Sequence, residues 1–556
     1  MNDAGRFSRP ASTTAWARFL AHLKGIFGAE ETPPAVAEAV PVPASAETPP
    51  RAAVAEAAPP LASVETPPLA AVVEAAPPPA SAKAPHLAAV AETPPPTPIL
   101  PERDPNDESA TNDNHQEKED TVALKPETLA LHAGWRADPT TGSVAVPIHQ
   151  TTSYQFNNTE HAANLFALRE LGNIYTRINN PTNDVLEKRV AALEGGVAAL
   201  AVASGQAASA YSLQNLARAG DNVVSSTDLY GGTWNLFANT LKDQGIEVRF
   251  VDPSDPENFR RATDDRTRAY YAETLPNPKL IAFPIAEVAA IGREFGIPLI
   301  IDNTAAPLLA RPFDHGAAIV VYSATKYLGG HGTSIGGLII DGGNFDWEKH
   351  AARQPALNTP DPSYHGAVWT QAVKPIGPVA YIIKARTTLL RDIGAALSPF
   401  NAFLLIQGLE TLPLRIERHV RNAQAVADYL ATRKEVTKVI HPSQQKGEAR
   451  ARAEKYLTGG FGGLVGFELA GGHDAGRRFI DGLELLYHVA NIGDARSLAI
   501  HPASTTHSQL STEDQLATGV SDGYVRLSVG LEHIDDILED LDRGFAAAAQ
   551  LRAAAE

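Results

Sequence analysis

Two stretches decide the fold class: Ile297-Pro298-Leu299-Ile300-Ile301-Asp302-Asn303-Thr304, and shortly after it Ala318-Ile319-Val320-Val321-Tyr322-Ser323-Ala324-Thr325-Lys326. Each is a short apolar run without alternation, as expected of a strand covered on both faces. Each ends in a polar cluster. The pattern recurs upstream: residues 199–203 precede Ser204-Gly205-Gln206, residues 222–225 precede Asp228-Leu229-Tyr230-Gly231-Gly232, and residues 268–272 precede Glu273 and Asn277. A further run covers 247–251, and helix-length segments separate most of these runs. Strands alternating with helices predict an α/β fold around a mostly parallel sheet. From about Pro399 the pattern changes to longer helices with isolated strands, which predicts a second, smaller α+β domain.

Composition bounds the chemistry. The chain has 556 residues, enough for several domains, and 47 basic against 64 acidic side chains, a net charge of −17. The acidity is spread over both the N-terminal region and the rest, which argues against nucleic acid as a partner. There is no cysteine, and the single methionine is Met1. Disulfides, thiolate metal sites, iron–sulfur clusters and cysteine nucleophiles are thereby excluded, and no metal site is read elsewhere. No apolar run reaches the ~18 residues of a membrane-spanning helix, and no export signal is read, so a cytoplasmic location is expected.

Residues 1–120 differ in kind from the rest. They hold 21 of the 42 prolines, with Glu-Thr-Pro-Pro starting at Glu31, Glu47, Glu65 and Glu92. Such a Pro/Ala-rich repeat has little apolar area to bury, so residues 29–120 are expected to form a disordered linker. Ahead of it, Trp16, Phe19, Leu20, Leu23 and Phe27 fall on one face of a helix over residues 14–28. Three readings stand open: a short amphipathic anchor for a membrane surface or a partner groove, a helix that docks on the protein's own body, or an extension with no role.

In open α/β sheets ligands sit at the carboxyl ends of strands, so the residues following each run form the candidate site. Ser204-Gly205-Gln206 opens a helix whose free N–H groups and positive dipole end suit a phosphate. Ser323 and Thr325 can add hydroxyls. Asp302 ends an apolar run, where a carboxylate is costly unless it meets a cation such as a protonated heterocyclic nitrogen. Lys326 lies between Ala324 and the glycine-rich Gly329-Gly330-His331-Gly332, a setting in which partial burial can free the amine as a nucleophile. Singly, these are a surface lysine, a helix cap and an ordinary turn. Together, a phosphate site, a buried acid and a lysine match the needs of pyridoxal 5′-phosphate (PLP).

The chain from about Pro126 to its C-terminus resembles the Cys/Met-metabolism family of PLP-dependent enzymes, the cystathionine γ-synthase-like group of fold type I. The resemblance rests on long motifs: ETLALHAG from Glu127, AVPIHQTTSY from Ala145, NIYTRINNPTNDVLE from Asn173, SGQAA from Ser204, LYGGT from Leu229, YSATKYLGGHG from Tyr322, SPFNAFLLIQGLETLPLR from Ser398, NIGDARSLAIHPASTTH from Asn491 and VRLSVGLE from Val525. Within the family the motifs look most like those of O-acetylhomoserine sulfhydrylases.

The resemblance implies a fold-type I transferase with a PLP-binding domain over 181–395, a C-terminal domain over 396–556, and an N-terminal arm over 121–180 that contacts a neighbouring subunit. It implies that Lys326 holds the cofactor aldehyde and shuttles protons. Asp302 faces the pyridinium nitrogen, and Tyr230 stacks on the ring and assists catalysis. Gly205, Gln206, Ser323 and Thr325 bind the phosphate, which Tyr175 and Arg177 reach from the neighbouring subunit. Asn277 lies on the ring-hydroxyl side, Arg526 holds the substrate α-carboxylate, and Asn491 also belongs to the substrate site. The implied reaction is γ-replacement on O-acetylhomoserine by sulfide or methanethiol, in a homotetramer built from dimers. Three alternatives stay open: a cystathionine γ-synthase, an O-succinylhomoserine sulfhydrylase, and an inactive PLP-fold scaffold tethered by its N-terminal arm. Gly232 stands where methionine-degrading lyases of the family often carry cysteine, and residues 347–369 resemble an insertion found in the sulfhydrylases.

Overall fold

In the computed structural model, which describes residues 124–170, 172–508 and 511–555, the apolar runs pair into one seven-stranded sheet. The strands are β1 (Ala198–Val202), β2 (Asn222–Ser226), β3 (Glu247–Val251), β4 (Thr267–Glu273), β5 (Leu299–Asp302), β6 (Ile319–Ser323) and β7 (Gly337–Asp341), in the order β1-β7-β6-β5-β4-β2-β3. β7 runs antiparallel to both β1 and β6. The other pairs are parallel.

Helices α1 (Pro181–Glu194), α2 (Gly205–Gln214), α3 (Ile285–Phe295) and α4 (Pro399–Glu410) cover the sheet. Alternate strand residues enter opposite layers. Leu200, Tyr271, Ile300 and Val321 pack with Ala208 and Leu213 of α2. On the other face, Ala201, Val320 and Leu338 pack with α1 and α4, while Tyr270, Leu299 and Ile301 pack with α3. Burial on both faces is why these strands carry no polar alternation. Fully burying one such isoleucine or leucine contributes ~1.5–3 kcal/mol. The helix ends are written locally. α1 begins with Pro181 after Asn180, whose side chain accepts from the Thr182 N–H, and stops at Gly195 with φ 79°.

β7 is a strand that the pattern of runs followed by helices does not contain. It follows β6 through a glycine-rich turn with no helix between them, so it enters antiparallel.

A second sheet follows, with β8 (Val436–Ile440), β9 (Leu464–Leu469), β10 (Tyr487–His488), β11 (Leu498–Ile500) and β12 (Tyr524–Ser528) in the order β10-β11-β12-β9-β8. Helices α5 (Leu412–Ala431), α6 (Gly472–Asp481) and α7 (Ile534–Ala555) cover one face. Val525 and Leu527 of β12 enter that helical core, with Phe467, Phe479 and Phe545. The intervening residues Tyr524, Arg526 and Ser528 therefore face the other way, and Tyr524 donates to the Pro278 carbonyl, shortly after β4, at 3.2 Å. Among the described residues no helix is long and apolar enough to cross a membrane. The expected helix at 14–28 and linker at 29–120 lie outside the described residues.

Candidate active site

The carboxyl ends of β1, β4, β5 and β6 converge on a cavity of about 270 Å³, closed by Asn491, after β10, and Arg526 of β12. At the end of β1, Ser204 caps α2 by accepting from the Ala207 N–H at 3.1 Å. The first N–H groups of α2 carry the positive end of its dipole toward the cavity. Gly205 has no room for a side chain: a Cβ there would lie 2.5 Å from the Ser323 Cβ. The absent methyl lets α2 and the end of β6 form one cradle. Gln206, Ser323 and Thr325 line it. The Thr325 hydroxyl is held by Gly336, accepting from its N–H at 3.1 Å.

Asp302 ends β5 and accepts from the Thr304 N–H at 2.9 Å. Burial pushes its carboxyl up, and the bonds from Thr304 and the Tyr271 hydroxyl hold it down. On the neighbouring strand Glu273 is its register partner. Burial, and then the charge of Asp302, push the Glu273 carboxyl well above the usual range. Burial pushes both carboxyls of this pair up; Thr304 and Tyr271 hold Asp302 down, and the backbone N–H groups of Tyr230 and Asn277 hold Glu273 down.

Lys326 follows β6. Its Nζ donates to Asn491 Oδ1 at 2.5 Å, and burial followed by the positive Arg526 lowers the amine to about 8. Arg526, in β12, donates to the Asn491 carbonyl at 3.0 Å, while its Nε has no hydrogen-bond partner among the described residues. Asn491 thus touches both cations. The segment after Lys326 is pinned by Arg415 of α5, which donates to the Tyr327 carbonyl at 2.7 Å and to that of Leu328 at 3.1 Å.

The sequence profile described as Cys/Met metabolism PLP-dependent enzyme matches residues 127–546. The chain belongs to this family. It is 57% identical to an O-acetyl-L-homoserine sulfhydrylase of Leptospira meyeri, over 75% of this chain and 96% of that one. It is 53% identical to one of Thermus thermophilus, over 76% and 100%. A crystal structure described as that of an O-acetylhomoserine (thiol)-lyase from Campylobacter jejuni superposes with a TM-score of 0.72 at 43% identity, covering 76% of this chain and all of that one. It contains N′-pyridoxyl-lysine-5′-monophosphate. The protein is a PLP-dependent enzyme of fold type I.

The site of this family member fits that cofactor on its own evidence. Gln206 Oε1 and Asn277 Oδ1 are buried without a partner among the described residues, polar atoms whose desolvation no described residue offsets. The cradle at Gly205 suits the phosphate, Asp302 the pyridinium nitrogen and Lys326 the aldehyde. Of the residues expected at the site, Lys326, Asp302, Tyr230, Gly205, Gln206, Ser323, Thr325, Asn277, Asn491 and Arg526 all line the cavity. Tyr175 and Arg177 do not: Arg177 donates to the Arg391 carbonyl at 2.9 Å, and the Tyr175 ring is 41% exposed. Sequence reasoning gave no role to Tyr271, Thr304, Glu273 and Arg415. Thr304 carries a signal, two residues past Asp302 in the polar cluster. Arg415 carries none, because its partners are backbone carbonyls about ninety residues away in sequence. The 347–369 insertion lines no part of the cavity. Trp347 and Trp369 are buried in the core cluster that contains α2.

Proposed function

We propose that this enzyme catalyses γ-replacement on O-acetyl-L-homoserine. The Cγ–O bond breaks, acetate leaves with the electron pair, and a thiolate forms the Cγ–S bond. Sulfide yields L-homocysteine and methanethiol yields methionine, which places the reaction in methionine biosynthesis. The observation that carries the reading is the Lys326–Asn491–Arg526 arrangement: a depressed amine and a half-unpartnered guanidinium held on one asparagine over the cofactor cradle. The names of the relatives supply the acyl group and the sulfur acceptor.

When bound, PLP supplies the electron sink for carbanions next to the substrate nitrogen. The chain's residues supply the rest. Arg526 holds the α-carboxylate as a planar fork, work that lysine does less well. Lys326 would hold the cofactor aldehyde, and its Nζ would take the Cα proton of the substrate and return a proton at the end. The side-chain oxygen of Asn491 aims that amine. Tyr230 covers the ring.

The test incubates purified holoenzyme with O-acetylhomoserine and sulfide, then with cysteine in place of sulfide, and repeats both with the O-succinyl ester. Homocysteine from the acetyl ester and sulfide is expected. Cystathionine without homocysteine would overturn the reading in favour of a cystathionine γ-synthase, and turnover confined to the succinyl ester would name the other sulfhydrylase.

The homotetramer built from dimers belongs to the same proposal. Tyr175 and Arg177 lie away from their own cavity, which fits a second copy's phosphate site. Mixing Lys326→Ala with Arg177→Ala should restore activity that each variant lacks alone; no restoration sinks the shared site. A cytoplasmic enzyme, with residues 14–28 as a peripheral anchor, completes the proposal.

A further inference from the structure

Glu273 ends β4 beside Asp302 and is 8% exposed, yet no step above uses it. Its Oε1 accepts from the backbone N–H of Tyr230 at 2.6 Å. The backbone N–H of Asn277 also lies by the carboxyl and holds it down. Tyr230 belongs to the loop after β2, and Asn277 to the loop after β4. Two loops from different strands therefore meet on one side chain. They carry the ring that covers the cofactor and the amide on its hydroxyl side. A second link ties the same loops, the ion pair of Lys279 with Asp228 at 2.6 Å.

We propose that Glu273 is a positioning residue, whose carboxyl oxygen sets the separation of Tyr230 and Asn277 and so the slot in which the PLP ring lies. The inference rests on the cofactor assignment and not on the acyl group or thiol. The adjacent Asp302 must stay ionised to face a pyridinium, and a second charge on the next strand would repel it. A protonated acid avoids that conflict, and its carbonyl oxygen still accepts both N–H groups. Burial and the Asp302 charge both push Glu273 in that direction. What matters is then an acceptor at the right reach, and not a charge.

Two variants separate these. Glu273→Gln keeps the reach and the oxygen but cannot ionise. Glu273→Asp keeps the acid but is one methylene short. Apoenzyme of each is titrated with PLP by visible absorbance, and kcat and KM are then measured on the holoenzyme. Glu273→Gln should bind PLP within about twofold of wild type and give the same spectrum. Glu273→Asp should bind roughly tenfold more weakly, with a shifted spectrum and a larger fall in kcat than change in KM, because buried N–H groups lose their acceptor. Wild-type behaviour of Glu273→Asp, or a loss in Glu273→Gln as large as in Glu273→Asp, would overturn the proposal. Asp302→Asn serves as the reference: unaltered PLP binding there would instead mean that the cofactor placement is wrong.

Discussion

Lys326 has an amine lowered to about 8 by burial and by Arg526. A lowered amine is free at lower pH than an ordinary lysine, and only the free amine attacks an aldehyde. Capture of PLP by apoenzyme should therefore accelerate as pH rises through about 8 and level off above it, which rapid-mixing absorbance can follow; a rate that keeps climbing toward the ordinary lysine range would contradict the setting. Gly232 is the second residue with a sharp consequence. A Cβ there would stand 2.5 Å from Tyr230 Cε1 and 2.8 Å from Gln206 Nε2. Both are ends of side chains that can swing aside, so Gly232→Ala should keep its unfolding midpoint. On the proposed stacking of Tyr230, displacing its ring should lower kcat/KM by roughly tenfold to a hundredfold. Equal kcat/KM would show that the ring's position is not critical. At this scale Lys326 and Asp302 are legible in the sequence, because each sits at the end of an apolar run. Arg526 and Asn491 are not legible without the family resemblance. Arg526 bonds to Asn491, and Asn491 meets Lys326 across 165 positions of chain.

Among the elements, the seat of α2 against β6 carries the phosphate cradle. A methyl at Gly205 would meet the Ser323 Cα, a backbone atom, at 2.8 Å, so the helix end itself must move. Gly205→Ala should cost about 1–3 kcal/mol in stability. It should also weaken PLP binding, measured by dialysis, and unchanged affinity would mean the cradle tolerates the shift. β12 is the counterpart in the second sheet. It lies between β9 and β11, so Arg526 is fixed by pairing on both sides. Arg526→Lys should leave the cofactor spectrum unchanged while KM for the amino acid rises roughly tenfold, since one planar fork is replaced by a point charge. An unchanged KM would remove Arg526 from carboxylate binding. The parallel strands were legible because burial on both faces makes them continuously apolar. β7 was not, because it follows a glycine-rich turn in place of a helix.

For the whole molecule, two sheets face one cavity. The ends of the first sheet supply the cradle and the acid, and Asn491 and Arg526 of the second sheet's region close it. The long N-terminal region of the chain stands outside the residues 127–546 shared with the family. Removing residues 1–120 should leave kcat and KM intact, while co-sedimentation with membranes or a partner protein should fall. Unchanged co-sedimentation would defeat the anchoring role of residues 14–28.

The sequence by itself determined the α/β class, the strand ends that bear chemistry, and the lysine, acid and phosphate loop that point to PLP. These are local properties, written in runs of apolar residues and the polar clusters that end them. Tertiary structure alone decided the antiparallel place of β7, the meeting of Glu273 with Tyr230 and Asn277, and the bridge of Lys326 to Arg526 through Asn491. Those depend on sheet order and on the packing of one sheet's region against the other's, and most join residues far apart in the chain that no local pattern encodes.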